Sequence, residues 1–306
     1  MIGERLQFHM ISNNFIHPSQ LRGLKLRSTM DAGVALTHII RSEWAKNLTT
    51  STLAFNIAQF FPSLNHQLLP FILNKTGLDQ KISMFFKNYL VGRKTKYLWN
   101  DFISLFLNVN IGVSQELALS PILSALYLLS VFHLFENCLK ILKIPISIIS
   151  FVDDGLFVSQ NKSILHSNAN LFCCYNIILS LLTKCSLVVE HRKTDIFHFS
   201  RSYGLFNPPP LDLSPLGGLV LLSKYIWKYL GFIFDHKLNF RNHIDFYANK
   251  AISTIKCMKL LGNLLRGINL LQERKLYRCC TLPIALYSFP LWYYNKAPTH
   301  YHLNML

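Results

Sequence analysis

Five residues constrain this chain more than any others: Phe151-Val152-Asp153-Asp154-Gly155. They follow an apolar, β-branched segment, Ile144-Pro145-Ile146-Ser147-Ile148-Ile149-Ser150, and precede Leu156-Phe157-Val158. The pattern predicts two short strands flanking a tight tip, a hairpin with two carboxylates at its turn. With 15 Asp and Glu against 31 Lys and Arg, acids are scarce, and two adjacent ones between apolar strands are costly to desolvate unless something neutralises them. A bound cation is one such neutraliser. Asp-Asp-Gly is also favourable type I′ turn chemistry that needs no metal, and from this stretch alone both readings stand.

A chain of 306 residues with 51% hydrophobic content forms one large domain or two modest ones with ample core, which excludes a disordered chain. The formal net charge of +16 and pI near 9.6 imply an anionic partner, nucleic acid or an acidic membrane surface. The cations are scattered instead of forming a tail, so that partner meets a folded surface. The seven cysteines (138, 173, 174, 185, 257, 279, 280) include no CxxC pair. They suit a reducing compartment, with thiols acting mostly as small buried hydrophobes. Sequons at Asn47 and Asn161 are too short to carry weight, and the segment after Glu4 and Arg5 has no signal-peptide core.

Residues 117–135 carry no Asp, Glu, Lys or Arg and lie between Glu116 and Glu136. By length and charge they qualify as a membrane span, and a mean hydropathy of +0.26 keeps that reading open. Ser120, Pro121, Ser124, Ser130 and His133, with no basic cluster at either end, favour a helix buried between sheet and neighbouring helices.

Elsewhere, Arg22, Lys25 and Arg27 form a basic loop able to meet phosphates or to stand solvated, before a helix over 31–44. Residues 53–66 begin as a strand and turn near Pro62-Ser63, with Ser63 offering a cap to the next helix. A helix over 80–90 ends at Gly92, and Arg93, Lys94 and Lys96 then interleave with Tyr97 and Trp99, a pattern suited to stacking bases and holding phosphates. A loop over 112–116 leads into the apolar helix. After the hairpin come a helix over 166–184, a strand over 187–190, a Pro- and Gly-rich loop over 207–218 and a strand over 225–235. From Phe240 onward the pattern is helical, with Lys250, Lys256, Lys259, Arg266, Arg274, Lys275 and Arg278 on otherwise apolar helices.

In this order the pieces resemble the reverse transcriptase domain of non-LTR (LINE-like) retrotransposons over nearly the whole chain. The resemblance rests on Asp153-Asp154 as the palm hairpin and on residues 53–66 as the motif with the other metal-binding acid. Gly112 to Ser120 with Pro121 resembles the Pro-Gln-Gly loop and its Ser-Pro helix. Glu190-His191-Arg192-Lys193-Thr194 with Phe197-His198-Phe199-Ser200 resembles the next palm motif, Tyr229-Leu230-Gly231 the primer grip, and residues 282–292 the end of the thumb. It implies an α+β right-hand polymerase fold: partial fingers over 1–50, a palm over 51–236 with a fingers insertion near 65–110, and a helical thumb-like region over 237–306.

The implied activity is RNA-directed DNA synthesis on an RNA template annealed to a DNA primer, with dNTP as substrate and Mg²⁺, or Mn²⁺, as cofactor. The resemblance implies two metal ions about 3.5 to 4 Å apart in an in-line transfer. Asp153 would bind metal and Asp154 support it, with Asn56 at the first acid position. Phe61 would gate the ribose 2′ position, Gln115 contact the nucleotide and Lys193 its phosphates; the plain alternatives are a core aromatic, a polar loop residue and a solvated lysine. Arg22, Lys25, Arg27, Arg93, Lys94, Lys96, Tyr229 and Gly231 would meet nucleic acid. Localisation follows as nucleus or cytoplasm, with no membrane expected.

The chain also departs from the family. Asn56 stands where the family carries a metal-binding Asp, and an amide cannot bridge two cations. Ser114-Gln115-Glu116 replaces Pro-Gln-Gly, setting an anion where Gly lets backbone approach. The family's first fingers motif and any endonuclease or RNase H segment are not seen in the sequence. These departures predict a degenerate polymerase that keeps its fold and loses most of its chemistry. The rival expectations are a non-catalytic, basic nucleic-acid-binding protein and a membrane protein spanning at 117–135.

Overall fold

The computed structural model describes residues 2–22, 27–115, 119–201, 207–261 and 267–293. Four strands make the main sheet: β1 (Thr49–Asn56), β2 (Ile146–Phe151), β3 (Asp154–Asn161) and β4 (Asp195–Phe199), in the order β2-β3-β1-β4. β3 runs antiparallel to both β1 and β2. β1 is rich in Thr, a residue suited to strands, and two of its hydroxyls reach neighbouring strands: Thr49 donates to the Asn161 carbonyl at 2.8 Å, and Thr52, fully buried, to the Phe197 carbonyl at 3.1 Å. Residues 19–21 add a short parallel edge to β2, with Leu21 N–H donating to the Ser150 carbonyl at 2.9 Å and Ser150 N–H to the Ser19 carbonyl at 2.8 Å.

The long helices Ser120–Leu142 and Ile164–Lys184 pack on one another and on this sheet. The ring of Phe135 stacks on Phe157 at 5.0 Å between centroids, and Phe157 meets Phe55 at 4.9 Å, so helix and two strands share one aromatic column. Leu126, Tyr127, Leu128 and Phe135 are fully buried, each stabilising the fold by about 1.5–3 kcal/mol of removed apolar surface. Both helices are long and apolar enough to cross a membrane by length and composition; here the first is a core helix, and burial pushes the Tyr127 phenol up to about 12.

The described residues fall into two compact units. One comprises those of Met1–Ala32, Asn47–His198 and Asn207–Ser223, the other those of Gly33–Lys46, Phe199–Phe206 and Lys224–Leu306. The second has its own core around a hairpin, β5 (Ile226–Tyr229) and β6 (Phe232–Asp235), and the helix Arg241–Leu261. His243, almost fully buried, ties them: its Nδ1 accepts from Ile233 N–H at 3.2 Å while Nε2 lies 3.1 Å from the Tyr287 carbonyl.

Several expected elements differ. Residues 225–235 form the β5–β6 hairpin instead of one strand, since Leu230 (φ 48°) and Gly231 (φ 85°) make a positive-φ turn. Residues 187–190 form no full strand; Val189 makes one bridge to Ile57, and Glu190 N–H donates to the Asn56 carbonyl at 2.8 Å. Ser63 lies inside a short helix, Phe60–Ser63, and caps nothing. The helix Leu68–Lys75 is capped by Asn65, whose Oδ1 accepts from Gln67 and Leu68 N–H at 2.8 and 3.2 Å. Of the cysteines, Cys174 is buried while Cys257, Cys279 and Cys280 are exposed, so the expectation of buried thiols fails for the carboxyl-terminal three.

Candidate functional site

The acidic hairpin turns at Val152 and Asp153, because Phe151 pairs directly with Asp154. Asp154 therefore belongs to β3, and the turn is narrower than the expected tip. Val152 takes φ +66°, a conformation that β-branched residues avoid and that stores about 1–3 kcal/mol. It persists because its side chain is 2% exposed and the flanking strands leave no other path.

On its other side Asp154 sits opposite Asn56, the last residue of β1. The Asn56 amide donates to Asp153 Oδ2 at 3.1 Å and to Asp154 Oδ1 at 3.0 Å. Ionised carboxylates only accept, so the amide must present its NH₂ side to both. The backbone locks this arrangement: Ile57 N–H donates to the Asp153 carbonyl at 2.9 Å. Burial raises the Asp154 pKa above the usual carboxylate range and the neighbouring Asp153 charge adds to this; the Asn56 hydrogen bond and, more weakly, the Lys193 charge oppose it. Lys193 is exposed, with Nζ 3.7 Å from Glu190 Oε2.

Phe61 and the loop bearing Gln115 are brought together. Val113 N–H donates to the Phe61 carbonyl at 2.8 Å, and the partly buried Phe61 ring lies beside Phe60. Gly112 is required there: at φ +83°, a Cβ would stand 2.4 Å from the Pro62 carbonyl oxygen. Two cationic or ring nitrogens converge on the Gly112 carbonyl, His66 Nε2 at 2.6 Å and Arg93 at 3.2 Å. Sequence reading missed His66 as a brace of this loop, and its place three residues after the Phe60–Ser63 turn was the available signal. Gln115 is exposed; Glu116 lies outside the described residues.

The basic residues are dispersed. Arg22 places its guanidinium 5.3 Å from the centroid of the Phe151 ring, against the acidic hairpin. Arg27 is exposed and Lys25 lies outside the described residues. Lys94 and Lys96 stand on a ribbon of two small hairpins, Lys94–Thr95 with Leu107–Asn108 and Leu98–Trp99 with Phe102–Ile103. Tyr97, Trp99, Phe102 and Phe106 are exposed along it, and Lys96 Nζ lies 4.1 Å over Phe106. In the second unit, Tyr229 is buried and stacks on Trp227 at 5.0 Å, so its ring faces the core; Gly231 carries the turn beside it, its carbonyl accepting from Tyr247 at 2.8 Å.

Among the described residues, the group of metal-type side chains close enough to share an ion is His17, His133 and Glu136. Ser19 N–H donates to His17 Nδ1 at 3.2 Å, which fixes the proton of the neutral ring on Nε2, 3.3 Å from Glu136 Oε1. In that tautomer Nε2 offers a metal no lone pair.

An antiparallel sheet with paired acids at a hairpin, backed by two long helices, is the architecture of a right-hand polymerase. A family model described as reverse transcriptase (RNA-dependent DNA polymerase) matches residues 1–234, and the chain belongs to that family. Among solved structures, apo telomerase from Candida tropicalis truncated from its C-terminal domain matches with a TM-score of 0.53 at 13% identity, over 76% of this chain and 43% of that one. Telomerase from Candida tropicalis in complex with a TWJ fragment of telomeric RNA matches with a TM-score of 0.53 at 14% identity, over 94% and 46%. The chain thus spans less than half the length of these structures, and at such identities the likeness shows the fold: α+β, of the right-hand polymerase kind. No curated protein matches the sequence.

Proposed function

We propose that this chain is a reverse transcriptase domain of the non-LTR retrotransposon type that binds primed RNA and has lost most or all of its nucleotide-addition activity. The observation that carries the reading is the Asn56 amide, paired opposite Asp154 and hydrogen-bonded to both acids of the hairpin. Reverse transcriptases generally use divalent metal ions, Mg²⁺ or Mn²⁺ here, to stabilise charge on the attacking and leaving oxygens. The residues present do not fit a pair of such ions: the donor set is two carboxylates and an amide whose N–H side faces inward. Losing several kcal/mol of charge stabilisation slows synthesis by roughly 10³-fold or more.

Around that site, Phe61 is the ribose gate, Gln115 the nucleotide contact and Lys193 the phosphate contact, with dNTP as the substrate class. The 1–50 segment acts as partial fingers, 51–236 as palm and 237–306 as thumb. RNA template and DNA primer are held by Arg22, Lys25, Arg27, Arg93, Lys94 and Lys96 and by the turn that Tyr229 and Gly231 shape. Nucleus or cytoplasm is the compartment. The net charge of +16 supports the binding role.

Primer extension on an RNA template tests this, comparing the chain with Asn56→Asp, Glu116→Gly and the double variant. The expected result is a silent parent and a double variant that gains synthesis. Efficient extension by the unaltered chain would refute the impairment.

A further inference from the structure

We infer that the Asn56 amide stands in for the cation at the acidic hairpin, so that the hairpin is held closed on β1 without divalent metal. The inference rests on the site assignment made above and goes on to the site's metal dependence. One NH₂ group has two hydrogens, and each is spent on a different carboxylate, at 3.1 Å on Asp153 and 3.0 Å on Asp154. A neutral group thus does at this point what a small cation does elsewhere, drawing two like charges to a common donor.

The donor is held there by its neighbours. Asn56 is in register with Asp154, its carbonyl accepts from Glu190 N–H at 2.8 Å, and the next residue's N–H reaches the Asp153 carbonyl at 2.9 Å. That pairing fixes the Asn56 backbone, and with it the point from which the amide reaches both acids. An ion entering between the acids would have to break both hydrogen bonds and would meet N–H groups on the third side. The ammonium that senses Asp154, Lys193, is also engaged with Glu190 at 3.7 Å, whereas the amide hydrogen-bonds both acids directly. Asp at position 56 would reverse the balance, putting three carboxylates on one spot that only a cation can hold together.

Two measurements on the purified full chain decide this: thermal melting in EDTA and in Mg²⁺, and Mn²⁺ binding followed by electron paramagnetic resonance. The parent is expected to melt at the same temperature in both buffers and to bind no more Mn²⁺ than Asp154→Asn does. Asn56→Asp is expected to melt lower in EDTA, to recover in Mg²⁺, and to bind Mn²⁺ about tenfold or more tightly than the parent, since hard cations follow ligand charge. A parent that melts higher in Mg²⁺, or that binds Mn²⁺ in a manner lost in Asp154→Asn, overturns the inference. That comparison needs only the parent and a substitution that removes charge, so it decides even if Asn56→Asp does not fold. Primer-template binding in EDTA separates the two readings: its loss, with the metal results as expected, refutes the nucleic-acid role and leaves the amide's role standing.

Discussion

The Phe55 ring lies across Gly155 so closely that a Cβ on Gly155 would stand 2.1 Å from its Cζ, the two residues being direct partners across β1 and β3. The glycine is there to admit the ring, and the ring in turn fills the space beside Phe157. Gly155→Ala is expected to destabilise the chain by about 2–3 kcal/mol through overpacking, measured by denaturant unfolding. Phe55→Leu in the same chain should return part of that loss. Additive losses in the double variant would mean that the two positions do not interact.

Acid lability should track buried histidine. Burial pushes His198 down to about 4, and the ring meets Ser51 Oγ at 2.7 Å. The folded state keeps this ring neutral while the unfolded chain takes a proton near pH 6.5, so its contribution is present above 6.5 and lost as pH falls towards 4. The loss amounts to about 3 kcal/mol. His17 and His243, also lowered chiefly by burial, act in the same direction. Asp154, raised by burial, acts oppositely, its cost easing as pH falls through its folded-state pKa. Unfolding curves from pH 7 to 4 should show the decline, and His198→Gln should flatten it.

Binding of primer-template is expected to weaken steeply with salt. Lys94→Ala and Lys96→Ala should each lower the slope of log K against log salt by about 1 without changing which sequences bind. Arg93→Ala is a different experiment, since Arg93 also braces the Gly112 carbonyl. A slope that none of these substitutions alters would place the interface elsewhere.

Thiol labelling under native conditions should separate the cysteines. Cys257, Cys279 and Cys280, exposed, are expected to react first, and Cys174 to resist until unfolding because burial pushes its thiol up to about 12. Mass spectrometry of the labelled peptides checks the order.

The acidic hairpin and the helix Gln80–Leu90 were legible because a β-branched run and a 3.6-residue pattern each end at a clear signal. The hairpin at 226–235 was not, since its turn is Leu230-Gly231 and a leucine at positive φ gives no warning. Val152 hides the acidic turn in the same way, setting a strand-forming residue where the chain bends. Asn65 took the cap expected of Ser63 because the short helix before it extends through Ser63. The contact of Asn56 with both acids spans nearly a hundred residues. Nothing local in the sequence marks that reach; the strand register shows it.

The sheet order carries a consequence for synthesis of the chain. β1 lies between β3 and β4, and its first residue, Thr49, pairs with Asn161. On the ribosome β1 therefore emerges long before either neighbour exists, and must wait unpaired, with Leu53 and Phe55 uncovered, until the segment up to residue 161 has been made. Closing so long a loop is slow, and an exposed strand in the meantime invites association with other chains. Chaperone demand and yield for this protein should thus depend on how quickly the ribosome traverses the interval between Asn56 and Asp154.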